Sequence, residues 1–289
     1  MKNTRLTRLA ATGAATALAA AALVGGTGTA ANATMTGSAT YDCPTGLPLP
    51  GLETLQIPVS VTTDSFDGPF LAGDEATGVN DVTAVLDLPQ NLVGAAVGML
   101  GITQLGAQLT DFHLWLGEGG QAVEGLSAPL TAIPGPGALP LTATGSLASL
   151  VTPNAAGTFP VSLPREFTLV PASAPVDLPV GSMTCTLSEG SDPVIGEVEV
   201  RKQSSTIKGR TVETKKGHKA IATVARQHGG DVFGKVVAKL GKKKVGAKAV
   251  TRSGKAVFAL PKSAHGKTLT LIYKGDSGTE GAKTSVKVK

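Results

Sequence analysis

The chain has 289 residues, of which 3% are aromatic and 16% charged, with 37 glycines and 18 prolines. This composition favours β-rich domains with many turns and thin cores of small side chains. It leaves few rings for stacking on sugars or bases and shows no nucleic-acid motif, which argues against specific nucleic-acid recognition.

Residues 1–33 read as a signal peptide. Lys2, Arg5 and Arg8 form a basic start, "LAATGAATALAAAALV" (9–24) an apolar run, and Ala31-Asn32-Ala33 a small-x-small cleavage site. The apolar run is shorter than the ~20 residues a membrane span needs. Export is therefore expected, with the mature chain starting near Thr34. "LVGAAVGMLGI" (92–102) is apolar too, but short and interrupted by Gly94, Gly98 and Gly101, so no transmembrane segment is expected in the mature chain.

The net charge of +5 hides an asymmetry. Residues 34–195 hold one basic residue, Arg165, against fifteen acidic ones, net −14. Residues 196–289 hold twenty-two basic residues against six acidic ones, net +16. The switch marks a domain junction, giving an acidic domain (34–195) and a basic one (196–289).

In the acidic half, strands are predicted at 55–63, 81–88, 107–116, 139–145, 157–163, 165–171 and 182–187, with Gly-Pro punctuation such as "IPGPGALP" between them. A short helix is predicted over 90–101, with Leu92, Ala95, Ala96 and Met99 on one face. The strand spacing suggests a sandwich. The chain has two cysteines, Cys43 and Cys185, in an oxidising compartment if exported, and one disulfide is the economical reading. It would close a loop of about 140 residues, worth ~4–5 kcal/mol.

In the basic half, strands are predicted at 219–226, 234–240, 254–261, 268–275 and 283–289. Leu269, Leu271 and Tyr273 alternate with Thr268 and Thr270, as in a sheet that covers a core on one side. The fold expected for the whole is mainly β: two β-sandwich domains, the acidic one with one short helix.

Gly254, Ala256, Phe258 and Leu260, followed by the Leu-x-Leu-x-Tyr-x-Gly-Asp run from Leu269 to Asp276 and a last strand ending in Val-x-Val, make residues 198–289 resemble the bacterial Ig-like repeat domains of secreted and surface proteins. The resemblance implies an immunoglobulin-like sandwich. The acidic half, from Tyr41-x-Cys43 to Cys185-x-Leu187, resembles an uncharacterised family of actinobacterial secreted domains with no assigned activity.

Gly275-Asp276-Ser277-Gly278 spells the tetrapeptide around the nucleophile of trypsin-like proteases. Only twelve residues follow Ser277, and the Ala-Ala-His-Cys context of the partner histidine is absent. His218, His228 and His265 are expected in exposed turns, and His113 in the other domain. Ser277 therefore reads as a turn residue, and no catalytic residue is expected. Asp64, Asp67, Asp74, Glu75 and Asp81 could hold calcium or line a solvated loop, without EF-hand spacing. No metal or cofactor is assigned. Trp115, between Leu114 and Leu116, reads as a solvent-face residue or a lone binding platform. "LPKSA" (260–264) reads as a strand end.

The lysines are the remaining functional signal. Lys215, Lys216, Lys242, Lys243 and Lys244 are candidate contacts for anionic cell-wall polymers or other surface proteins. Alternatively they keep sheet edges soluble. The reading is a secreted, envelope-associated, non-enzymatic structural or adhesive protein. The alternative is an extracellular small-ligand or calcium-binding protein acting through the acidic domain.

Overall fold

In the computed structural model, residues 34–64, 66, 68–135, 137–215 and 217–289 are described. The expected signal peptide, Asp67 and Lys216 lie outside them. The acidic half contains β1 (Met35–Pro44), β2 (Thr54–Thr63), β3 (Phe70–Leu71), β4 (Glu75–Leu88), α1 (Gln90–Leu100), β5 (Gln104–Thr110), β6 (His113–Leu116), β7 (Gly119–Ala132), β8 (Leu139–Val151), β9 (Gly157–Ser162), β10 (Glu166–Ala174) and β11 (Met183–Leu187). Next come β12 (Val194–Arg201), β13 (Ser205–Thr214), β14 (Gly217–Arg226), β15 (Lys235–Leu240), β16 (Lys243–Ala249), β17 (Lys255–Leu260), β18 (Thr268–Tyr273) and β19 (Ala282–Lys287).

The acidic half is not a sandwich. Antiparallel pairings run β1–β2–β4–β8–β7–β5–β10–β11 and return from β11 to β1, closing an eight-stranded barrel. This overturns the expectation of two β-sandwich domains. An eight-stranded ring is narrow enough for side chains to fill it. Tyr41, Ile57, Leu86, Leu105 and Phe167 are fully buried there. Phe167 lies edge-on to Tyr41 and Phe112, at 4.9 and 5.4 Å between ring centroids.

Strand β7, a member of the ring, spans residues for which no strand is predicted. Its first residues pair with β6 in a side sheet ordered β3-β12-β9-β6-β7, and its later ones pair with β5 and β8 in the barrel. At both barrel contacts the neighbour is a glycine. A Cβ on Gly106 would sit 2.9 Å from the Ala128 carbonyl oxygen, and one on Gly145 would sit 2.8 Å from that of Glu124. Bare backbone lets β7 turn the corner between the two sheets. The predicted strand over 107–116 is likewise broken, because Asp111 takes φ 58° and divides β5 from β6.

Helix α1 buries Leu92, Val93 and Ala96, and Gly101 closes it in the left-handed conformation. Met99, expected on the buried face, is 62% exposed. Cys43 and Cys185 form the expected disulfide, 142 residues apart in sequence. It crosses the β1–β11 seam, where Asp42 pairs with Thr186.

In the basic half, a three-stranded sheet (β13-β14-β17) and a four-stranded sheet (β16-β15-β18-β19) share one apolar cluster. Phe258, Leu260 and Val224 come from the first sheet, and Val236, Leu271 and Tyr273 from the second. The 195/196 boundary falls inside β12, whose Ile195, Val198 and Val200 belong to the core of the acidic half. Among the described residues, no helix is long and apolar enough to cross a membrane.

Both tyrosines of the chain are buried. Burial pushes the Tyr41 hydroxyl well above its ordinary value, and Tyr273 up to about 12 through burial and its hydrogen bond to Asp276. A raised folded-state pKa means stability is full below the unfolded value of 10.0 and is lost as pH climbs past it. Absorbance titration should therefore show no tyrosinate forming near pH 10 before the chain unfolds. A reversible midpoint near 10 would contradict the packing of both rings.

Candidate functional site

The site is built from the strand pattern of the four-stranded sheet. Inward positions carry Val236, Ala238, Leu269, Leu271 and Tyr273, so the intervening residues face solvent. Strands β15, β16, β18 and β19 hold seven lysines and no acidic residue. Lys235, Lys239, Lys244, Lys283 and Lys287 fall on the outward face. Lys239 is the register partner of Lys244, Thr270 that of Lys239, and Ser285 that of Thr270. One row across the sheet therefore reads Lys244, Lys239, Thr270, Ser285. The two hydroxyls lie 3.3 Å apart.

Two lysines directly opposite on one face repel each other. Among the described residues the ion pairs are Arg201–Glu199 and His228–Asp74, and neither involves a lysine of this face. The face is an uncompensated cationic surface.

Of the residues singled out from sequence, Lys215 lies in the β13–β14 turn, and Lys242 in the β15–β16 turn beside Lys243 and Lys244 at the start of β16. Both turns sit at the end of the sheets away from the acidic half. The structure adds Lys235, Lys239, Lys283 and Lys287, which strand alternation alone could have placed together. His218, expected in an exposed turn, is instead buried and stacks on His265 at 5.6 Å between ring centroids.

The other end of the basic half docks on the acidic half, and the Gly275–Gly278 stretch is part of the joint. Ala156 N–H donates to the Ser277 carbonyl at 3.0 Å, and Gln203 N–H to that of Gly278 at 2.9 Å. Gln203 is fully buried, and its side-chain amide donates to the Ala72 carbonyl at 2.8 Å. The Arg226 guanidinium also donates to Ala72 and reaches the Asp231 carbonyl at 3.3 Å. Asp74, a calcium candidate, faces His228 at 3.1 Å across this joint. Among the described residues, no three acidic, His or Cys side chains converge as a metal site. What Ser277 contributes to the joint is its backbone carbonyl.

Asp276 organises the same loop. It accepts from Gly278 N–H at 2.9 Å, Tyr273 O–H at 3.0 Å and Phe233 N–H at 3.1 Å. Burial alone would raise its pKa. These three donors, with the nearby Thr279 hydroxyl, which stands outside hydrogen-bond geometry, outweigh burial and hold the carboxyl below its ordinary 3.8. A depressed folded-state pKa gives stability that is present above the unfolded value and lost as pH falls below it. Asp276→Asn should lower the melting temperature at pH 7 and narrow its gap to wild type toward pH 3. A gap independent of pH would show that the carboxylate charge plays no part.

Residues 40–196 match the family model DUF6801, a family of unknown function. The chain belongs to the DUF6801 family. The DUF6801 match begins inside β1 and ends inside β12, so it takes in most of the barrel and side sheet and stops short of the cationic sheet. No curated protein matches the chain. Among solved structures, the β-glucuronidase of an uncultured Clostridium sp. is similar at 11% identity and TM-score 0.24, over 92% of this chain and 46% of that one. The Lactobacillus rhamnosus β-glucuronidase is similar at 12% identity and TM-score 0.24, over 89% and 44%. This DUF6801 chain thus spans less than half the length of those enzymes.

Proposed function

We propose that this chain is an exported, non-enzymatic envelope protein whose basic half holds anionic surface polymers against the outer face of the four-stranded sheet. The observation that supports it is the acid-free face, with five outward lysines, two of them register partners. Repulsion between Lys239 and Lys244 costs stability in the free protein, and a bound polyanion relieves it. The resemblance of this half to Ig-like domains of surface proteins agrees with a contact role. The barrel, stapled by its disulfide, serves as the rigid body that presents the face.

The test separates binding from mere solubilisation. Lys244→Glu should raise the stability of the free chain by a few tenths of a kcal/mol, the scale of a cross-strand pair. It should also lower the salt concentration at which the chain elutes from a polyphosphate resin. Elution unchanged by Lys244→Glu would assign these lysines to solubility alone.

A further inference from the structure

We propose that the cleft beside Trp115 binds a small carboxylated sugar. The cleft, about 380 Å³, lies between the β6–β7 hairpin and the segment linking β9 to β10, with Pro193 on its rim. It is separate from the cationic sheet face.

Four features define the ligand. The Trp115 ring lies across the backbone of its register partner, Gly120, where a Cβ would sit 3.3 Å from the indole. One ring face is thus held against the hairpin, while the side chain stays open enough for the residue to be 39% exposed. A flat apolar face at a cleft suits the C–H face of a pyranose or another ring.

Arg165 also lines the cleft, and it is the one basic residue among residues 34–195. Its guanidinium has no carboxylate partner among the described residues. A planar fork without a partner selects a carboxylate.

His113 supplies an acceptor. The Asp111 carbonyl lies 2.8 Å from Nδ1, and a carbonyl only accepts, so Nδ1 carries the proton. Nε2 of the neutral ring is then left to accept, as a hydroxyl requires. Asp111 takes φ 58° at the break between β5 and β6, which is where that carbonyl arises. Glu166, a further acceptor, also lines the cleft.

Two acceptors beside one cation and one ring favour a hydroxylated ring with a single carboxylate over an aromatic acid, which offers no hydroxyl donors. The cleft, about 380 Å³, limits the ligand to a short one.

Trp115 is the chain's one tryptophan, so its fluorescence reads the site directly. Titrating the full chain with galacturonic acid should give a saturable change on the order of 1 mM. Galactose should bind about tenfold more weakly, as loss of a charged hydrogen bond implies. Arg165→Gln should weaken galacturonic acid by about the same factor, leave galactose unchanged and leave the melting temperature unchanged. Trp115→Ala, followed by calorimetry, should abolish the binding heat. No saturable change, equal affinity for the two sugars, or benzoate binding as tightly as galacturonic acid would each overturn the assignment.

Discussion

Removing the disulfide, by Cys43→Ala with Cys185→Ala, should destabilise the chain by about 5 kcal/mol, the largest single effect expected here. The crosslink spans 142 residues, so its loss frees a very long loop in the unfolded chain. It also sits on the seam where the ring closes. Register along β1 and β11 is carried by two residue pairs, Tyr41–Leu187 and Asp42–Thr186, far fewer than the ten along β1 and β2. The crosslink therefore holds the shortest joint of the barrel. Denaturant unfolding under oxidising and reducing conditions measures the difference. A loss under about 1 kcal/mol would show that the unfolded chain gains little freedom from opening the crosslink.

The second large effect is expected at Gly278. A Cβ there would overlap the Asn154 carbonyl oxygen and press within 3.0 Å of the Ala72 side chain. Neither contact is the tip of a flexible side chain, so Gly278→Val must open the joint between the halves. A cost of about 3 kcal/mol is expected, the upper range for overpacking. The unfolding transition should also broaden or split, because Gln203 and Arg226 lose their alignment on Ala72. Ser277→Ala should do almost nothing, since only the backbone carbonyl of Ser277 is used in the joint. Calorimetric scans of the two variants decide it. A single unshifted transition in Gly278→Val would show that the contacts at this joint contribute nothing to stability.

Much of the molecule was legible from its residues. The charge switch, the helix, the disulfide and the inward face of β18 all follow from local pattern. The barrel did not, and the reason is physical. Strand β7 carries Gly119, Gly120, Gly125 and Pro129, residues that read as turn formers. Those residues let one strand serve two sheets, so the signal for a strand was weakest where topology is decided. Without β7 the remaining strands fit a sandwich equally well. Closure is also a long-range property, set by β11 returning to β1, and no local period reports it.

The site was half legible for a related reason. The turn lysines stand out as a run, whereas Lys235, Lys239, Lys283 and Lys287 are dispersed in sequence and converge only through register. The joint was not legible at all. Gln203 and Arg226 are unremarkable polar residues until Ala72 meets them, some 130 to 150 positions away in sequence. The tetrapeptide that mimics a protease motif acquires its meaning there, since a glycine is needed where two backbones touch.

The measurement that bears most directly on the central claim is retention on cell walls across a salt series. The mature chain is compared with a variant carrying Lys235→Ser, Lys239→Ser, Lys244→Ser and Lys283→Ser. The account predicts that wild type sediments with walls at low salt and is released as salt rises, because binding to a polyanion releases condensed counterions. The variant should stay soluble and folded yet be released at markedly lower salt, with a shallower dependence. Retention of wild type that is indifferent to salt, or identical retention of the two proteins, would contradict it.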